Sequence, residues 1–436
     1  MKPILLSIIG ILTTVICLPP ESHGAGAQGG KADPFFSTDT PVSPGVPADG
    51  FYPNGKKMAF MGYSGDPARD LTNGFTVAGP TYGDNKLYVE QCAAHGWPVV
   101  ASVSHGPRFT DKDTSKNYRL NETELRANVA AEVSAIAPLK EIVWWAILPE
   151  ELRTWRKDEM QYLEIVSDTI RANDPQRRPL YIYNPNNRDA ASLAPIARQV
   201  DVVGKGCYVN TSGKKRDRAW VGWSIDQEVA AIKAAGRPDG IPILMPELCK
   251  DPAPGEEKEI RSWVRHDVYL GLTHGAKGLC LWSLFKRREV SKTWQLWYDA
   301  YAECGRELNG VRNLSQVFLF GGEPSAHAGV RLVKGAAMTD VRLGGNAEPV
   351  TSSAQERRDR VQVMPSFTAR EYVYGGDHWL FVVNSSNDPA TFEVSGWPKD
   401  ALAENAFDST PIALPALLHL DLPAYGVAAI RFFTRS

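Results

Sequence analysis

The chain has 436 residues, 43% of them hydrophobic and 10% aromatic, with 48 basic residues against 50 acidic ones. That length exceeds one ordinary domain and suits a barrel followed by a smaller domain. With a net charge of −2 and no basic run, the chain lacks the electrostatic footprint of a nucleic-acid-binding protein.

The first residues have the layout of an export signal. Lys2 precedes an apolar stretch over 4–18, and Ala25-Gly26-Ala27 fits a small-x-small cleavage site. The stretch is short for a membrane span. Residues 1–27 are therefore expected to be a signal peptide, and the mature protein to be secreted or periplasmic with no stable membrane span. Cleavage removes Cys17 and leaves Cys92, Cys207, Cys249, Cys280 and Cys304, an odd and widely spaced set that does not read as a disulfide framework but leaves a single bridge open in an oxidising compartment. There is no C-x-x-C and the histidines are scattered, so no metal site is expected.

Residues 28–54, rich in Gly, Pro, Ser and Asp, form an irregular lead-in. Strand and helix patterns then alternate. Strands are predicted at 57–64, 74–80, 98–104, 142–148, 179–183, 200–208, 242–246 and 278–285. Helices are predicted at 88–95, 121–137, 157–173, 224–235, 257–274 and 293–308. Eight such units imply a parallel sheet closed into a (β/α)8 barrel over 55–312, an α/β architecture. From 313 to 436 the pattern changes to short strands, at 361–364, 371–374, 379–384, 391–394 and 428–433, separated by Gly, Asn and Pro turns. This is the signature of a small all-β sandwich.

Two of the predicted strands lead directly into glutamates. Trp145-Ala146-Ile147-Leu148-Pro149 runs into Glu150 and Glu151, and Ile243-Leu244-Met245-Pro246 runs into Glu247. Residues at the C-terminal ends of barrel strands surround one pocket. Glu151 and Glu247 are 96 positions apart (247 − 151), or three β/α units of roughly thirty residues each, which sets them across the mouth. Cleavage of a glycosidic bond needs such a pair: one carboxyl to protonate the leaving oxygen, one at the anomeric carbon. If 150 and 151 continue the strand, only one of the two faces the pocket; the other is then available to Arg153 or to a sugar hydroxyl. Tyr208 is placed to donate to the Glu247 carboxylate, and Trp282 to form a flat wall. His105, Arg108 and Asn184 follow strands and are candidates for binding hydroxyls; Tyr63 and Tyr82 complete the set.

These motifs resemble the glycoside hydrolases of clan A over about residues 57–310. The resemblance is carried by Trp145-Ala146-Ile147-Leu148-Pro149-Glu150-Glu151, Met245-Pro246-Glu247, Tyr208 and Leu281-Trp282-Ser283. It implies a retaining mechanism, with an acid/base glutamate after strand four and a nucleophile after strand seven. In many members an Asn directly precedes the acid/base; matching that dipeptide to Glu150-Glu151 favours Glu151 as the acid/base, with Glu150 standing where Asn is usual. Trp379–Asn384 and 422–427 resemble the β-sandwich often appended to such barrels.

The expectation is thus an exported glycoside hydrolase acting on a poly- or oligosaccharide, with no cofactor and a carbohydrate as its partner. Three other readings of the same residues remain open: an inverting hydrolase, a polysaccharide lyase using His105 or Tyr208 as base, and a non-catalytic carbohydrate-binding protein. No Gly-x-Ser-x-Gly elbow and no phosphate loop are present.

Overall fold

In the computed structural model, seven strands form one parallel sheet in the order β1-β7-β6-β5-β4-β3-β2. The strands are β1 (Ala59–Gly62), β2 (Val99–Ser104), β3 (Ile142–Leu148), β4 (Leu180–Asn184), β5 (Val202–Gly206), β6 (Ile241–Met245) and β7 (Gly278–Leu281). The structure describes residues 50–107, 109, 118–209, 217–248, 250–285, 291–325, 327–342 and 361–434. The expected signal peptide, most of the lead-in and Arg108 lie outside the described residues.

The eighth stave is the stretch 75–80, between the two open edges of that sheet. Thr76 N–H donates to the Phe60 carbonyl at 2.9 Å, Ala78 N–H to Pro98 at 2.8 Å, and Ser64 N–H to Pro80 at 2.9 Å. Val100 N–H donates back to Ala78 at 2.9 Å. The predicted second strand is therefore present in position but forms only an isolated bridge, Ala78 with Val99. Its ladder is interrupted because the Thr76 hydroxyl takes the place of a backbone partner, accepting from Phe60 N–H and donating to Met58 O. Gly79 is required here: a Cβ would lie 2.0 Å from the Gly62 carbonyl oxygen. With this stave the ring closes, and β3 and β6 become the fourth and seventh staves, as the sequence predicts.

Inside the ring, residues of one parity on each strand pack together: Ala59 and Met61, Trp144 and Ala146, Tyr181, Val202, Ile243 and Met245. The other parity faces helices, as with Trp145, Ile147, Ile182 and Val203. The helices are α1 (Pro67–Asp70), α2 (Asn85–Ala94), α3 (Glu122–Ile136), α4 (Lys157–Asn173), α5 (Ala190–Ala197), α6 (Trp220–Ala234), α7 (Ile260–Thr273) and α8 (Trp294–Asn309). The last buries Trp294, Trp297, Tyr298, Tyr301, Cys304 and Leu308, a stripe at helical spacing. Helix α5 was not predicted; it starts at Asp189, whose side chain forms a reciprocal cap with Ser192. Cys92, Cys207, Cys280 and Cys304 are buried and free.

A short helix α9 (Ser315–Phe320) closes the helical part, and among the described residues only strands follow: β8 (Gly329–Lys334), β9 (Met338–Arg342), β10 (Val361–Pro365), β11 (Phe367–Tyr374), β12 (Asp377–Asn384), β13 (Ala390–Ser395), β14 (Leu402–Asn405), β15 (Pro411–Ile412), β16 (Leu418–Leu422) and β17 (Val427–Phe433). They pair as a five-stranded sheet, β11-β12-β17-β14-β15, a three-stranded sheet, β16-β13-β8, and a two-stranded sheet, β10-β9. The apolar run of β12 is explained by burial on both faces. Leu380 and Val382 enter the core of the β domain with Phe392 and Ile430. Phe381 and Val383 pack on barrel helices, where Phe381 meets Tyr269 and Phe318. Among the described residues, no helix is long and apolar enough to cross a membrane.

Candidate active site

Strand parity carries several side chains to the C-terminal mouth of the barrel. Inward positions 241, 243 and 245 on β6 extrapolate to Glu247, positions 202, 204 and 206 on β5 to Tyr208, and Cys280 on β7 to Trp282. The extrapolation is supported by backbone bonding beyond the strands. Glu247 and Trp282 form a parallel bridge, with Trp282 N–H on the Pro246 carbonyl at 2.9 Å and Leu248 N–H on the Trp282 carbonyl at 2.8 Å. Glu247 keeps only 5% of its surface exposed. The Trp282–Ser283 peptide bond is cis, as is Leu148–Pro149.

The adjacent pair Glu150-Glu151 lies past the end of β3 and does not follow strand alternation. Glu151 takes a φ of 62°, and its N–H reaches the Tyr183 carbonyl at 3.3 Å. The loop is tied down on both sides: Tyr162 donates its hydroxyl to the Leu148 carbonyl at 2.5 Å, and Arg188 donates to the Leu152 carbonyl at 2.8 Å. Arg153 is taken by Glu159 and the Phe109 carbonyl, so it is not the partner of Glu150 that the sequence offers.

Glu150 sits among five tyrosines. Its charge acts on the hydroxyls of Tyr63, Tyr82, Tyr181, Tyr183 and Tyr208. Burial is the first cause that pushes Tyr63, Tyr181, Tyr183 and Tyr208 well above the usual phenol value, and Glu150 pushes in the same direction; Glu151 adds to the effect at Tyr183. The hydroxyls therefore stay protonated and serve as hydrogen-bond donors. Tyr63 and Tyr181 place their hydroxyls 2.9 Å apart. Tyr82 stacks on Tyr63 at 5.1 Å between ring centroids and keeps 52% of its surface in solvent.

Tyr82 stands between the two acidic ends, within electrostatic reach of Glu150 and beside Trp282. Trp282 stacks on Tyr208 at 5.4 Å, and Tyr208 on Tyr183 at 6.2 Å. This row of three flat faces fits because Gly206 carries no side chain: a Cβ there would lie 3.1 Å from the Tyr183 hydroxyl and 3.2 Å from the Tyr208 ring.

The structure thus brings together Glu150, Glu151, Glu247, Tyr208, Trp282, Tyr63 and Tyr82. It does not bring Asn184 to the mouth. Asn184 is 0% exposed and of outward parity, with its amide on the Gly204 and Ile182 carbonyls. His105 is drawn to helix α3, with Nε2 at 2.6 Å from Glu132. Burial raises the Glu132 carboxyl above its usual value against the opposing pull of His105. Tyr181 and Tyr183 are site residues absent from the sequence-based set. Their signal was the spacing Tyr-x-Tyr in one predicted strand, which puts both rings on one face.

Among the described residues, no group of three or more His, Cys, Asp or Glu side chains is placed to hold a metal ion. No protein-family model matches the sequence, and no curated protein sequence matches it. Solved structures do resemble it. A GH27 β-L-arabinopyranosidase from Geobacillus stearothermophilus superposes with a TM-score of 0.52 at 8% identity, over 87% of this chain and 97% of that one. An α-amylase from Geobacillus thermoleovorans gives a TM-score of 0.45 at 9% identity, over 84% and 89% of the two chains. A GH30 endoxylanase from Clostridium papyrosolvens C71 gives 0.44 at 12% identity, over 87% and 97%. At these identities the likeness is one of fold, and the first of the three carries it: the chain has a barrel fold that it shares with a glycoside hydrolase.

Proposed function

We propose that this protein is an exported glycoside hydrolase that cleaves a poly- or oligosaccharide with retention of configuration, using Glu247 as nucleophile and Glu151 as acid/base. The observation that carries the reading is the bridge between Glu247 and Trp282, because Trp282 stacks on Tyr208 and Tyr208 lies within electrostatic reach of Glu150. This supports one mouth shared by the acidic ends of the fourth and seventh staves, beside an aromatic wall suited to a sugar ring. In the first step the Glu247 carboxylate bonds to the anomeric carbon while the glycosidic oxygen departs with the proton of Glu151. In the second, Glu151 takes a proton from water, the water oxygen bonds to the anomeric carbon, and the bond to Glu247 breaks. Glu150, within electrostatic reach of the tyrosine hydroxyls, orients the substrate hydroxyls.

A panel of 4-nitrophenyl and alkyl glycosides tests this assignment, with the anomer of the first-formed product followed by NMR. Glu247→Gln is expected to lose at least about a thousandfold in kcat with the fold intact. Glu151→Gln should slow the alkyl glycosides far more than the 4-nitrophenyl ones, because a good leaving group needs little protonation. If Glu150→Gln gives that pattern instead, the two glutamates exchange roles. An inverted product anomer removes the retaining mechanism. Residues 1–27 are proposed to be cleaved on export; the N-terminal sequence of the mature protein checks this.

A further inference from the structure

Behind Glu247, on the helix side of the barrel, lies a buried polar chain that the proposed chemistry does not use. Tyr301 on α8 donates its hydroxyl to the backbone carbonyl of Glu247 at 3.1 Å. That hydroxyl also lies within electrostatic reach of Asp267, of the Glu247 carboxylate and of Arg218. Arg218, 1% exposed, holds Asp267 through two nitrogens at 3.2 and 2.9 Å, and its guanidinium lies over the Trp263 ring at 4.8 Å.

The chain continues into the β domain. His266 places Nδ1 at 2.8 Å from Asp267 and Nε2 at 2.9 Å from the hydroxyl of Ser385, which directly follows β12. Burial lowers the His266 imidazole below its usual value, so the ring is neutral. A neutral ring between a carboxylate and a hydroxyl carries its proton on Nδ1, donates to Asp267 and accepts from Ser385. Tyr425, also in the β domain, sits edge-on to His266 at 5.4 Å.

We propose that Tyr301 is a positioning residue for Glu247, and that the buried relay Arg218–Asp267–His266–Ser385 lets the β domain hold the end of the seventh stave in register. This inference rests on the reading of Glu247 as nucleophile. A carbonyl fixed at the same residue as the attacking carboxylate restricts the backbone that aims it, and small misplacements of a reacting group are costly. The β domain is by this account part of the machinery that shapes the site.

The test uses the full-length protein and whichever 4-nitrophenyl glycoside the wild type turns over fastest. Tyr301→Phe removes one oxygen from a buried ring. It is expected to lower kcat by about tenfold or more while KM stays within about threefold, since the lost contact aims the nucleophile and does not bind substrate. Ser385→Ala should lower kcat in the same sense, and the double variant should lose less than the product of the two single losses, because both act through one chain. A kcat within about threefold of wild type in Tyr301→Phe, whatever happens to KM, overturns the positioning role. Multiplicative losses in the double variant overturn the relay to the β domain. Failure of the parent reading is separate: it shows as activity retained in Glu247→Gln.

Discussion

Glu247 and Trp282 face each other in the last parallel bridge of the barrel, past the ends of β6 and β7, with backbone hydrogen bonds on either side of the pair. The proposed nucleophile and the proposed aromatic wall are thereby set by the same two strands. A sugar seated on the ring would be held at a fixed height relative to the carboxylate.

Replacing Trp282 should measure what its flat face contributes. Trp282→Phe keeps a smaller ring for the stack on Tyr208; Trp282→Ala loses the stack. The alanine variant is expected to raise KM by about tenfold, or about 1.4 kcal/mol, and the phenylalanine variant by less. Steady-state kinetics on one glycoside reads the difference. Equal effects would mean that the stacked face is not what binds the sugar.

The fully buried ring of Phe381 joins the β domain to barrel helices. Phe381→Ala should cost about 3–5 kcal/mol, from lost transfer energy plus the cavity left behind. Thermal unfolding checks this: Tm should fall while the transition remains single, because Tyr372, Val383 and Ala429 of the β domain still pack in one core with the barrel helices. Two separated transitions would show that the domains unfold independently.

Alkaline stability follows from the tyrosine cluster. Tyr63, Tyr181, Tyr183 and Tyr208 are held well above the ordinary value of 10.0 in the folded protein. Below about pH 10 both states keep these protons and stability is unaffected. Above it the unfolded chain releases protons that the folded chain retains, so stability falls as pH rises, by about 1.4 kcal/mol per unit for each such group. Phenolate absorbance should therefore appear in a steep step together with unfolding. A gradual rise in the folded protein, involving these four residues, would contradict the burial that the structure gives them.

Much of the fold was legible because its periodicities are strong. Helix α4 matches its predicted limits, 157–173, since its apolar stripe is regular. Helix α5 escaped because it has eight residues with Pro195 inside it, which reads as a breaker. The second stave was placed correctly, but its interrupted ladder depends on where the Thr76 hydroxyl goes, a tertiary matter. At the site, Glu247 and Trp282 were readable as strand ends. Asn184 could have been set aside by parity, since Tyr183 inward implies its neighbour outward. The pair Glu150-Glu151 could not be resolved by parity, because β3 ends at Leu148 and the chain turns through a positive φ at Glu151. Tyr301 was invisible because it reaches Glu247 from a helix 54 residues further along the chain.

The isolated bridge at 75–80 gives the barrel a seam. Seven staves are zipped into a continuous sheet, whereas this one is buttoned by a handful of hydrogen bonds at Thr76, Ala78 and Pro80. A segment so lightly fastened opens at lower free energy than its neighbours. Its amide protons should exchange with solvent earliest among the staves. Tyr82 stands only two residues beyond it, so each such opening also draws a hydroxyl away from Glu150. Breathing of the wall and loosening of the site would then share one clock.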